Sequence, residues 1–134
     1  MTKIVFVVAA ALFNEKNEVL LAQRPEGKSM AGLWEFPGGK MDPGETPETA
    51  LIRELHEELD ITVNEASLEP LTFASHPYPG FHLLMPLYRC REWTGVPHAN
   101  EGQALSWVSL ENVSDYDAPA ADIPLFEYLK KYGR

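Results

Sequence analysis

The stretch GKMDPGETPETALIRELHEELDI, residues 39–61, decides how this chain folds and what it can bind. Thr46 is a natural helix N-cap, and Pro47 suits the first helical position, where its missing N–H has no partner to lose. Leu51, Ile52, Leu55 and Leu59 then recur at three- and four-residue spacing, which predicts a helix with an apolar stripe. At 100° per residue, Glu54, Glu57 and Glu58 fall within an arc of roughly 100°, on a face turned about 120° from that stripe. One side of the helix packs and the other carries charge. Like charges at this spacing cost an isolated helix about 0.2–0.5 kcal/mol per pair, so the face asks for something positive among its carboxylates. A hard divalent cation with oxygen ligands meets that requirement.

Outward from the helix, residues 4–13 are an apolar run that reads as a buried strand. Residues 14–17 then form a polar turn, with 19–24 as the hairpin partner. Ten apolar residues are too few to span a bilayer, which takes about 20. Lys3 is the only charged side chain before them and Glu15, Lys16 and Glu18 follow at once, which argues against an export signal. Residues 25–32 read as loop and 33–36 as a short apolar and aromatic segment ending at Pro37-Gly38-Gly39, where backbone can approach a ligand closely. Residues 71–75 and 81–91 are expected strands joined by the Pro77-Tyr78-Pro79-Gly80 turn, with Pro86 making the second of them irregular or an edge. Residues 104–108 form another short strand. Leu125, Phe126, Tyr128 and Leu129 predict a closing helix over about 123–132, with Gly133 just beyond. Strands with two helices give an α/β sandwich.

The 134 residues suit a single domain, 1–134, and the 45% hydrophobic content a globular one. A net charge of −9 excludes a non-specific grip on DNA or anionic membranes, so neither nucleic acid nor membrane is an expected partner. A polyanionic substrate would have to arrive with metal. The lone Cys90 cannot form an internal disulfide, and the cytoplasm is the expected location. His56, His76, His82 and His98 lack zinc-ligand spacing, and no nucleophile-elbow motif occurs. Gly39 and Gly44 have the spacing of a P-loop, but Glu45-Thr46 stands where Lys and Ser or Thr would be needed.

Gly39, Glu45, Arg53, Glu54, Leu55, Glu57, Glu58 and Ile61 match the Nudix box, G-x5-E-x7-R-E-U-x-E-E-x-G-U with U aliphatic, and the chain resembles a Nudix hydrolase. At average usage the six charged or glycine matches would coincide by chance on the order of once in 10⁸ registers. Asp60 stands where the box has glycine; Asp tolerates the left-handed conformation expected there better than most residues. The resemblance implies an α/β/α sandwich with a mixed sheet, and Mg²⁺, with Mn²⁺ as a substitute. It further implies that Glu54, Glu57 and Glu58 are metal ligands, that Glu54 helps activate water, and that Arg53 orients the glutamates. The carbonyl of Gly38 is a further expected ligand.

Phe36-Pro37-Gly38-Gly39-Lys40, Glu101-Gly102-Gln103 and Ala118-Pro119-Ala120-Ala121-Asp122 resemble the MutT branch of that family, which hydrolyses oxidised guanine nucleotides. By that resemblance Glu101 is a further metal ligand or the general base. Arg24 and Lys40 are expected on phosphate, Phe36 stacked on the base, and Asp122 against the base edge. Asp122 could equally N-cap the closing helix. The expected activity is cleavage of a nucleoside triphosphate such as 8-oxo-dGTP, by water attack at the β-phosphorus, to the monophosphate and pyrophosphate. The alternatives are CTP, other nucleotides or nucleoside-diphosphate sugars at the same site, or a nucleotide-sensing domain, against which the intact glutamates argue.

Overall fold

A computed structural model describes residues 2–133 of the chain. Strand β1 (Ile4–Leu12) leads, followed by β2 (Glu18–Gln23), β3 (Trp34–Glu35) and β4 (Gly38–Lys40). Helix α1 (Pro47–Leu59) comes next, then β5 (Glu69–Tyr78), β6 (Phe81–Cys90), β7 (Ala104–Ser109) and helix α2 (Ile123–Tyr132). A four-stranded mixed sheet runs β4-β1-β6-β5, with β1 and β6 parallel and the other pairs antiparallel. A three-stranded antiparallel sheet runs β3-β2-β7.

From Val8 to Phe13 both faces of the run at 4–13 are buried, as in the near-continuous apolar strands of parallel sheets, while Ile4 and Phe6 at its start are about half exposed. Ala9, Ala11 and Phe13 turn to a cluster that includes Leu125, Phe126 and Leu129 of α2. Val8, Ala10 and Leu12 turn to a second cluster built on Leu51, Leu55 and Leu59 of α1. The two helices thus cover opposite faces, which gives the α/β/α sandwich. None of the helices among the described residues is long and apolar enough to cross a membrane.

Three local expectations are corrected. β2 is not the sheet partner of β1: after the bridge Phe13↔Val19 the two strands part into different sheets. The edges of β1 are already taken by β4 and β6, leaving no ladder for β2. The Gly38-Gly39 segment, expected only as the end of the short aromatic segment, forms β4, with Gly38 opposite Ala9 and Gly39 opposite Val8. A side chain at Gly38 would collide with the Val8 carbonyl, so the glycine permits this close pairing. β6 is internal and not an edge, yet Pro86 does interrupt it: the β1 register passes from Phe6↔Leu84 to Ala9↔Leu87. Pro86, without an N–H, lies where that ladder lapses.

α1 begins and ends as its sequence predicts. The Thr46 hydroxyl accepts the Thr49 N–H at 3.2 Å. Asp60 takes the left-handed conformation at φ 58°, ψ 34°, and its N–H reaches the His56 carbonyl at 3.0 Å.

Candidate active site

The charged face of α1 is organised by Arg53. Its Nε and Nη2 donate to the two oxygens of Glu45 at 2.8 and 2.9 Å, a bidentate pairing. Nη1 donates to Glu54 at 2.9 Å and to Glu57 at 3.3 Å, and Nη2 also reaches the Lys40 carbonyl at 3.1 Å. The guanidinium and the Asp42 N–H hold Glu45 down to about pKa 2. Burial raises the Glu54 pKa above the usual carboxylate range, against the pull of Arg53. Gly39 leaves room for Glu54, since a side chain on it would displace the Glu54 carboxylate.

Glu58 lies on the other side of this face. Burial pushes it up to about pKa 8, and nearby Glu101 and Glu54 add to the shift, while the Gly38 N–H, 3.0 Å from its Oε2, opposes it. Glu101 comes from the loop before β7, which docks on the open end of α1. The His98 N–H donates to the Leu59 carbonyl at 2.9 Å and the Asn100 N–H to the Glu58 carbonyl at 3.1 Å. The Asn100 side chain donates to the Glu57 carbonyl at 3.2 Å. With Asp60 on His56, the last four carbonyls of the helix, which have no partner within it, are all satisfied.

Gly38, Glu54, Glu58, Glu101 and Gln103 line a cleft of about 150 Å³. Glu57 stands outside it, its side chain 54% exposed and tied to Arg53. Beside the cleft is a larger cavity of about 580 Å³, walled by Val5, Val7, Tyr78, Phe81, Leu83 and Met85 among others, with Lys40 and Asp122 also on it. Arg24 and Glu35 line both spaces and form an ion pair at 3.0 Å where they meet.

Asp122 is 4% exposed. Burial first, and then the Glu35 charge, push it up to about pKa 8. It holds the N-cap position of α2, but its carboxyl makes no cap hydrogen bond; it accepts the Phe36 N–H at 3.3 Å and faces the large cavity. The capping role expected of its side chain is therefore not the one it plays.

Phe36 is also corrected. Its ring is 4% exposed and packs edge-on against Phe126 at 5.2 Å, inside the core and not on the cavity wall. The aromatic surface facing the cavity comes from Tyr78 and Phe81, stacked at 5.3 Å. Sequence reasoning missed Glu35, Tyr78 and Gln103. Glu35 was within reach, because it alternates with the core-facing Trp34 and Phe36 in a segment that places neighbouring side chains on opposite faces.

The residues present fit a divalent cation by donor chemistry: Glu54, Glu58, Glu101 and the Gly38 carbonyl bring oxygen ligands to the cleft. Arg24 and Lys28 line it as well and suit an anion beside the cation. Glu54 and Glu58 are raised first by burial, with neighbouring acids adding to it. Among the described residues no three acids already close on one point at ligand distance. Arg53 draws Glu54 to one side and the Gly38 N–H holds Glu58 at the other.

The chain matches the NUDIX domain family over residues 8–128. It is 37% identical to an 8-oxo-dGTP diphosphatase of Escherichia coli strain K12, over 93% of this chain and 95% of that one. It is 42% identical to a CTP pyrophosphohydrolase of the same organism, over 90% of this chain and 87% of that protein. Among solved structures, that of the E. coli ORF135 protein superposes with a TM-score of 0.85 at 37% identity, covering 99% of this chain and 94% of its own. The MutT protein from Methanosarcina mazei Go1 superposes at 0.84 with 27% identity, covering 99% and 97%.

Proposed function

The chain belongs to the NUDIX domain family, and from that premise we propose that it is a Mg²⁺-dependent nucleoside triphosphate pyrophosphohydrolase that takes 8-oxo-dGTP from the cytoplasmic nucleotide pool. Water attacks the β-phosphorus, and nucleoside monophosphate and pyrophosphate leave. The observation that carries this reading is the pair of joined spaces: a small acidic cleft beside a larger, mostly apolar cavity, with Arg24 and Glu35 as their common wall. A nucleotide laid across the wall places its base in the large cavity and its outer phosphates among the glutamates.

Glu54, Glu58, Glu101 and the Gly38 carbonyl would hold the cation, with Glu57 at the rim. When bound, a divalent cation neutralises phosphoryl oxygens and makes a water more acidic. Glu54, held by Arg53 and raised by burial, is the group we assign to accept that water's proton. Arg24, at the junction, meets the phosphate nearest the ribose, and Lys40 adds positive charge at the cavity mouth. Tyr78 and Phe81 offer a stacked surface to the base.

One observation favours a second reading, that the substrate is CTP. A neutral carboxyl both donates and accepts, and so complements the cytosine edge, an amino donor beside a ring-nitrogen acceptor. The guanine edge offers N1–H and N2–H to an ionised Asp122, or N1–H and the O6 acceptor to a neutral one, so only cytosine depends on the neutral form. Burial that keeps Asp122 neutral up to about pH 8 therefore admits cytosine at neutral pH.

A substrate panel with Mg²⁺ decides. If the first reading is right, 8-oxo-dGTP exceeds dGTP and CTP in kcat/KM by at least about tenfold, or 1.4 kcal/mol in transition-state binding. The reverse order between 8-oxo-dGTP and CTP establishes the second. No pyrophosphate from any nucleotide rejects both.

A further inference from the structure

Only two polar side chains stand among the buried residues described, Asp122 at 4% and Gln103 at 7% exposure. Asp122 faces the large cavity. Gln103 faces the cleft, and its amide is used at both ends. Its Oε1 accepts the Glu101 N–H at 2.9 Å, and its Nε2 donates to the Glu58 carbonyl at 3.2 Å. Gly102, at φ 75°, makes the left-handed bend by which the side chain of 103 returns to the amide of 101.

The consequence is a strut between two backbones. One carries Glu58 on α1; the other carries Glu101 on an exposed loop with no helix or strand of its own. Asn100 pins the same loop from its other flank, through its N–H on the Glu58 carbonyl. A ligand on an unsupported loop must be ordered each time a cation enters, whereas one held by a buried partner is ordered beforehand.

We propose that Gln103 is the positioning residue for Glu101: its amide clamps the loop to the end of α1 and sets the separation of the Glu101 and Glu58 carboxylates before a divalent cation arrives. The proposal rests on the metal-dependent reading of this cleft. It assigns Gln103 no contact with substrate; the residue acts only through Glu101.

The test uses Gln103→Met, which keeps length and bulk but neither hydrogen bond, and Gln103→Glu, which keeps an acceptor for the Glu101 N–H. Mn²⁺ alone is titrated by calorimetry, and kcat and KM are measured with 8-oxo-dGTP and CTP. Partners that orient metal ligands typically cost 10- to 100-fold in affinity when removed, so Gln103→Met should weaken Mn²⁺ binding about tenfold. It should lower kcat by a similar factor with KM within about twofold, and Gln103→Glu should fall between. In a Glu101→Gln background, Gln103→Met should weaken Mn²⁺ binding further by less than about twofold, because the residue it positions is already disabled.

A merely structural role would instead impose the same loss in both backgrounds. That outcome, or unchanged Mn²⁺ affinity in Gln103→Met, overturns the proposal. If Gln103→Met fails to fold, Gln103→Glu decides by the same comparison. If the unmutated chain turns over no nucleotide, the function assigned above falls, while the Mn²⁺ titrations still decide whether Gln103 sets the Glu101 site.

Discussion

Replacing Asp122 with asparagine should remove a pH dependence of stability that wild type carries. The carboxyl is 4% exposed, and burial lifts it from 3.8 to about 8. Because the folded pKa is raised, its stabilising contribution is fully present below about pH 4 and is lost as pH rises through about 8. Between those limits the unfolded chain releases a proton that the folded chain keeps, and stability falls by about 1.4 kcal/mol per pH unit. Over the gap of about four units the ceiling is on the order of 6 kcal/mol. Asparagine has nearly the same shape, its Oδ1 can still accept the Phe36 N–H, and it does not titrate. Urea unfolding of both proteins at pH 4 to 9, without added metal, measures the difference. The Asp122→Asn variant should gain on wild type steadily with pH and level off above about pH 8. Parallel curves across the whole range would refute the claim that Asp122 is held neutral by burial.

Three further outcomes follow from the site. Glu54→Gln and Glu58→Gln should each lower kcat by about 10²- to 10⁴-fold while the proteins keep their cooperative unfolding; near-normal turnover in both would remove these residues from the mechanism. Gly39→Ala should cost on the order of 10² in kcat, since the new methyl displaces the Glu54 carboxylate, and an unchanged rate would show that the carboxylate has room to move. The ratio of kcat/KM for CTP over 8-oxo-dGTP should fall about tenfold from pH 7 to pH 9 as Asp122 ionises through about pKa 8, and should be flat with pH in Asp122→Asn; equal slopes in both proteins would detach base choice from this side chain.

What the sequence made legible was local. The cap at Thr46, the apolar stripe and the left-handed exit at Asp60 each follow from spacings of a few residues, and each is present. What it hid was set by competition between distant segments. Nothing near residue 13 reveals that β4 and β6 will claim both edges of β1 and leave β2 to another sheet. Phe36 looks free for a ligand in a glycine-rich context, but α2 brings Phe126 to its ring from ninety residues away. Asp122 was ambiguous because the same position serves a helix start and a cavity wall, and only the fold turns its carboxyl to the Phe36 N–H.

The acidic face of α1 asks for positive charge, and the chain itself answers part of that demand. Arg53 is shared among Glu45, Glu54 and Glu57, so the helix can form before any metal binds. Its guanidinium has no contact with Glu58 or Glu101, and the deficit is concentrated there: Glu58 is raised by burial and by Glu101, with only the Gly38 N–H against it. The demand for a cation is thus strongest between the helix end and the loop that docks on it. That junction is held by Asn100 and Gln103, not by the box that first drew attention to the helix. In the proposed site the box supplies the candidate ligands on one element, and the bonds that bring the opposing acid to them come from a loop more than forty residues later.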